Sequence, residues 1–296
     1  MFDSHAHLNS DKFEGRYLEN VKSVMEKVEY VVIPAWDYQS SLKALEIADT
    51  NNNIYVALGL HPTEVPRFLD EAKQNKMSFE EYIEQELDKI EKLILENRKK
   101  VVAIGELGLD YYWDKEEYTQ GLQRYMMIKQ IGLANKLNLP IVIHTRDATI
   151  DMIKLLQENE VLKKGIMHCV PINEYLIKET LKLGYYISFK NAKPEECVKI
   201  VPLDKMLVET DTPYLTPEPM RGKENTPCNV KYVIEKISNI INKEPSEIEK
   251  ITTENAKSLV SKSNATALAN YYDKHDIEDK LSTITNTASE TKSSLE

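Results

Sequence analysis

Eight short apolar runs, rich in β-branched residues and alternating with longer amphipathic stretches, restrict this chain more than any other feature. They are "FDSHAHL" (2–8), "EYVVIPAW" (29–36), "IYVALGL" (54–60), "KVVAIGE" (100–106), "PIVIHT" (140–145), "GIMHC" (165–169), "GYYISF" (184–189) and "KMLVET" (205–210). Several are apolar on both faces, as parallel strands covered by helices must be. The segments between them read as helices. Ser78 and Glu81 have capping-box spacing ahead of Ile83, Leu87, Ile90 and Ile94 on one face. Leu122, Met126, Leu133 and Leu137 share another face, and Val230, Val233, Ile237 and Ile241 a third. Ser246 and Glu249 offer a second capping box. Strands alternating with helices over about 260 residues predict an α/β chain folded as a (β/α)8 barrel. The competitor is an open doubly wound sheet, but no dinucleotide-type glycine fingerprint follows any strand, and the chain has only 9 glycines.

Domain organisation follows from where this pattern stops. Residues 1–262 form the predicted barrel domain. Residues 263–296 are rich in Ser and Thr and poor in large aliphatics, and read as a flexible tail. The 296 residues carry a net charge of −10, which disfavours nonspecific adhesion to nucleic acid or anionic membrane but leaves room for a local basic patch. Cys169, Cys197 and Cys228 make an odd count without framework spacing, as in a reduced chain. With no signal-peptide pattern and no membrane-length apolar run, the expectation is a cytoplasmic protein with no membrane contact and no obligate protein partner.

Of the 6 histidines, five fall in or just after predicted strands: His5 and His7, His61, His144 and His168. Glu106 closes the fourth strand, and Glu209 and Asp211 close the eighth. Active sites of this barrel lie at the C-terminal ends of the strands, so closure would gather these side chains into one constellation. Strand alternation puts His5 and His7 on one face, and Glu106 on the face of Val102 and Ile104. Each residue also has a structural reading: a histidine held by hydrogen bonds, a helix cap, a turn aspartate. Cys169, next to His168 on a strand, should face the core.

As a set, four imidazoles and two carboxylates can hold two divalent ions. His5, His7 and Asp211 would hold one, His144 and His168 the other, and Glu106 would bridge them. Mixed N/O ligation suits Zn²⁺ or Mn²⁺, and Mg²⁺ less comfortably. Such a centre would generate a metal-bound hydroxide near neutral pH and attract an anionic substrate. Asp211 could accept the water proton, with Glu209 in support. His61, Arg146 and Arg221, with Lys190, Lys193 and Lys223, are candidates for contacting substrate. Tyr111, Tyr112 and Trp113 could stack on a base or pack under their loop.

The residues are similar, in order, to those of a known family. "DSHAHL", "GLHP", "GELGLDYYW", "PIVIHTRDA", "HC", "GYYISF", "VETDTPYLTP" with "RGKENTP", and "ITTENAKSL" together resemble the TatD family of metal-dependent deoxyribonucleases, from residue 1 to about residue 260. The resemblance implies a TIM barrel of the amidohydrolase type. It also implies a one- or two-metal centre on His5, His7, Glu106, His144, His168 and Asp211. The implied activity is phosphodiester hydrolysis of DNA, as a 3′→5′ exonuclease or sometimes an endonuclease, supported by Mg²⁺ or Mn²⁺. Two loops depart from the family pattern: Val170-Pro171-Ile172-Asn173 after "HC", and Lys190-Asn191 after "GYYISF". The other enzymatic reading is a related metal-dependent hydrolase of a small amide or ester, or of an ester on tRNA. Many small-molecule amidohydrolases bridge their metals with a lysine at the fourth strand, where this chain has Glu106. A third reading is a non-catalytic metal-binding scaffold.

Overall fold

The β-branched runs become strands in the computed structural model, which describes residues 1–192 and 194–260. They are β1 (Phe2–Asp3), β2 (Tyr30–Pro34), β3 (Ile54–Leu58), β4 (Val101–Asp110), β5 (Ile141–Arg146), β6 (Gly165–Met167), β7 (Tyr186–Phe189) and β8 (Met206–Val208). Each pairs in parallel with the next, in the order β1 to β8. The seam between β8 and β1 is held past the strand ends: Ser4 N donates to Val208 O at 3.1 Å and Asp211 N to His5 O at 2.9 Å. The result is an eight-stranded parallel barrel wrapped by helices, the expected (β/α)8 architecture.

The helices are α1 (Tyr17–Met25), α2 (Tyr38–Ala48), α3 (Val65–Gln74), α4 (Phe79–Glu96), α5 (Glu117–Leu137), α6 (Thr149–Glu158), α7 (Glu174–Lys182), α8 (Glu195–Lys199) and α9 (Val230–Ile241); residues 245–260 are also helical. The predicted box on α4 forms: Glu81 N donates to Ser78 Oγ at 3.1 Å, and Ser78 N to Glu81 Oε2 at 2.8 Å. The second expected box does not. The last helix starts at Pro245, whose fixed φ suits a first helical position, so Ser246 falls inside the first turn. Glu249 instead accepts from the Met1 amine at 3.0 Å.

Two apolar layers hold the barrel. One, between strands and helices, joins Ile33, Leu58, Ile104, Ile141, Ile143 and Met167 to Ile83, Ile90, Ile94, Met126 and Ile131. The other fills the N-terminal end of the barrel with Phe2, Val32, Ala57, Val102, Val142 and Leu207, closed by Ala256 and Val260 of the last helix. Ile104 was expected to share the face of Glu106, and it does not. The β3–β4 register shifts between Val56 and Ala57, and the β4–β5 register between Ile104 and Leu107, so strict alternation is lost. Likewise β1 ends at Asp3, and His5 and His7 lie beyond the strand that was expected to carry them.

The glycines of β4 allow that irregular path. Gly108 has φ 147°, and a Cβ there would stand 1.9 Å from His144 O. The residues proposed as a tail, 263–296, and the boundary at 262 lie outside the described residues. We expect Gly108→Ala to lose about 2–4 kcal/mol of stability, read from urea denaturation. A loss within 0.5 kcal/mol, the range of an ordinary surface change, would mean that β4 relaxes around a side chain here.

Candidate metal centre

Glu106 reaches the C-terminal mouth of the barrel because β4 bulges below it. Its neighbour Gly105 lies so close to Val142 that a Cβ would approach the Val142 side chain to 2.8 Å. The Glu106 amide donates to Ala35 O at 2.9 Å, and the side chain is buried. The two carboxylate oxygens face different groups. Oε2 lies 3.2 Å from His5 Nε2 and 3.6 Å from His7 Nε2. Oε1 lies 2.9 Å from His168 Nε2, 3.0 Å from His144 Nδ1 and 3.3 Å from His61 Nε2. Asp211 Oδ1 closes the first group, 3.5 Å from His7 Nε2 and 3.9 Å from His5 Nε2.

His5, His7, Glu106, His144, His168 and Asp211, scattered over the sequence, are thus brought together. Their chemistry fits divalent metal. His5 and His7 turn their Nε2 atoms toward each other at 3.2 Å, and the rings of His5 and His168 stack at 3.8 Å. His168 Nε2 is buried and makes no hydrogen bond despite its nearness to Glu106. Once deprotonated, nitrogens packed this closely would converge their lone pairs on a shared cation. Among the described residues, three groups of ligand atoms converge: His5, His7 and Glu106; His61, Glu106 and His144; His5, His168 and Glu209.

Charge is arranged to match. Burial alone would raise Glu106 and Asp211, but the surrounding histidines hold both well below the usual carboxylate range. Burial lowers His5 and His61. His168 and His144 go up in spite of burial: Glu106 and Glu209 raise the first, Asp110 and Glu106 the second.

Residues expected elsewhere in the site take specific places. His61, considered as a substrate contact, stands beside Glu106 and His144, its Nδ1 held 2.7 Å from Thr63 Oγ1. Glu209 is fully buried; its Oε1 accepts from Cys169 N at 2.5 Å and lies 3.3 Å from His168 Nδ1. Cys169 was expected to face the core. Strand β6 ends at Met167 and Cys169 has φ 43°, so alternation no longer applies and the residue lines the cleft instead. Arg146 lines the cleft with its guanidinium 3.6 Å from the Tyr112 ring centroid. Arg221 is not brought there: it is exposed, 3.5 Å from Glu218. Lys193 lies outside the described residues. Tyr111 packs under its loop, its hydroxyl bonded to Asp151 and Arg124, while Tyr112 and Trp113 are exposed.

Asp110 was missed. Its Oδ2 lies 2.9 Å from His144 Nε2, opposite the nitrogen that faces Glu106, and its Oδ1 accepts from the amides of Tyr112 and Trp113. Position i+4 from Glu106 on one strand was the available signal. The assembled side chains open into a cleft of about 650 Å³, whose other walls include Trp36, Val170, Ile172, Lys190 and Tyr214.

A parallel (β/α)8 barrel with histidines and carboxylates gathered at its C-terminal mouth defines the class of metal-dependent hydrolase barrels. Comparisons with known proteins narrow this. The family model described as TatD related DNase matches residues 2–261. The chain is 40% identical over 268 residues to a Bacillus subtilis (strain 168) protein named uncharacterized metal-dependent hydrolase YabD, covering 88% of this chain and 98% of that one. It is 32% identical to the one named YcfH of Escherichia coli (strain K12), covering 86% and 93%. In fold it is similar to the TatD homologue YJJV of Escherichia coli K12, with TM-score 0.76, 24% identity, and 88% and 98% coverage. The chain belongs to the TatD family of metal-dependent hydrolases.

Two outcomes follow from this geometry. Asp110→Ala, which frees the His144 ring, should weaken divalent-metal binding about 10–100-fold by calorimetry; unchanged affinity would show that Asp110 does not orient the ligand. Metal must also displace protons from His144 and His168, whose proton affinity is raised above the ordinary value of about 6.5. Apparent affinity should therefore increase as pH rises from about 6 to 8, with protons released in proportion; equal affinity at both ends would contradict protonation of these rings in the free centre.

Proposed function

We propose that the chain hydrolyses phosphodiester bonds of DNA, shortening strands from the 3′ end, at a centre that takes two divalent ions. The observation that carries this is the division of Glu106: one oxygen faces His5 and His7, the other His61, His144 and His168. A carboxylate so placed suits a bridge between two cations. Mg²⁺, Mn²⁺ and Zn²⁺ are the candidates, with the imidazole-rich donor set favouring the latter two. Bound ions would supply Lewis acidity toward phosphoryl oxygens and lower the pKa of water.

The chain's own residues do the rest. His5, His7 and Asp211 would hold one ion, and His144 and His168 the other, with His61 beside them. Asp211, kept ionised by the imidazoles and open to the cleft, is placed to take a proton from an attacking water. Glu209 fixes His168 and the Cys169 amide from beneath. Arg146, on its aromatic support of Tyr112 and Trp113, is suited to a neighbouring phosphate. The family description, TatD related DNase, supports DNA as the substrate class. A second reading, hydrolysis of a small amide or ester or of an ester on tRNA, draws support from the apolar wall of Val170, Pro171 and Ile172, which offers no charge to a polyanion.

The test is 5′-labelled single-stranded DNA incubated after chelation and re-addition of each metal. Progressive shortening from the 3′ end is expected, with Asp211→Asn slower by about 10²–10⁴-fold and Glu106→Ala similarly impaired. Cleavage of an amide or ester panel with DNA left intact would transfer the assignment to the second reading.

A further inference from the structure

Lys190 follows β7, lines the cleft, and is largely buried. Its ammonium lies 3.8 Å from Asp211 Oδ2 and beside the Cys169 thiol. Neither contact uses up its donors: 3.8 Å exceeds hydrogen-bond reach, and a thiol is a weak acceptor.

Asp211 is shared between two neighbours. Oδ1 faces His7 and His5, and Oδ2 faces Lys190. Whatever sits against the His5–His7–Asp211 group is therefore within a few ångströms of the Lys190 ammonium. Arg146 differs: it is exposed and stacked on Tyr112. The two cations consequently sample different parts of a bound polyanion.

Accepting the phosphodiester reading above, we infer that Lys190 holds a non-bridging oxygen of the scissile phosphate itself, rather than a phosphate further along the strand. During in-line attack on phosphorus, charge on the non-bridging oxygens is redistributed, and an ammonium already in place on the cleft wall stabilises it with little reorganisation. Lys190 forms no covalent bond and gives up no proton.

The experiment uses bis(p-nitrophenyl) phosphate, which has one phosphate and hence no flanking one. Lys190→Met should lower kcat/KM on it about 10–100-fold with metal content equal to the wild type, and Lys190→Arg should recover most of the loss. Three results would overturn the inference. They are an unchanged kcat/KM on this ester with loss confined to DNA, loss of bound metal in Lys190→Met, and failure of Lys190→Arg to recover activity. Should the wild type hydrolyse no phosphodiester at all, the functional reading falls while Lys190 is still tested by titrating the metal-loaded protein with inorganic phosphate. Affinity weaker by about tenfold or more in Lys190→Met supports the anion site, and equal affinity refutes it.

Discussion

A buried carboxylate surrounded by imidazoles is the interaction on which the rest of this structure depends. Removing Glu106 from water is costly, and in a barrel interior the cost is met only by partners close enough to act at low dielectric. Five imidazoles approach it from four parts of the chain. The arrangement is satisfied electrostatically only when all of these segments are in register. Charged buried groups of this kind usually weaken a core, and here they gather at the mouth, while the opposite end of the barrel holds an apolar cluster.

The barrel seam serves the same centre. Strand β1 has only two residues, too few to hold its place by ladder bonds alone. Asp3 supplies what the strand lacks: its carboxylate accepts from the amides of His5 and Thr210, at 3.2 and 3.0 Å, and from the Thr210 hydroxyl. With Asp211 N bonded to His5 O, these contacts lock the two chain segments that carry His5, His7, Glu209 and Asp211. Closure of the fold and gathering of the candidate ligands are thus one event. A second tier of groups stands behind these imidazoles: Asp110 against His144, Glu209 near His168, Thr63 against His61.

Strand and helix order was readable along the chain because burial on both faces leaves a plain signal, a β-branched run bounded by polar or turn residues. Ser78 and Glu81 marked a helix start correctly because a capping box is made within four residues. Ser246 and Glu249 misled because an adjacent proline competes for the same position. Glu106 was assigned to the mouth correctly but on the wrong count of alternation: two register shifts intervene, so Ile104 faces the helices and Glu106 still faces inward. Asp110 was legible by its spacing from Glu106 and was passed over among aromatic neighbours.

By itself, then, the sequence determined the alternation of eight strands with helices and the inventory of His, Glu and Asp at the strand ends, because both are local properties of composition and period. Tertiary structure alone decided how those side chains are shared out. It divided the two oxygens of Glu106 between opposing clusters, drew His61 in beside His144, turned Cys169 and Lys190 into the cleft and left Arg221 outside it. Past the last ladder bond, periodicity no longer dictates direction. There the path of each loop is set by hydrogen bonds between residues as far apart as Asp3 and Thr210, and such bonds exist only once the barrel has closed.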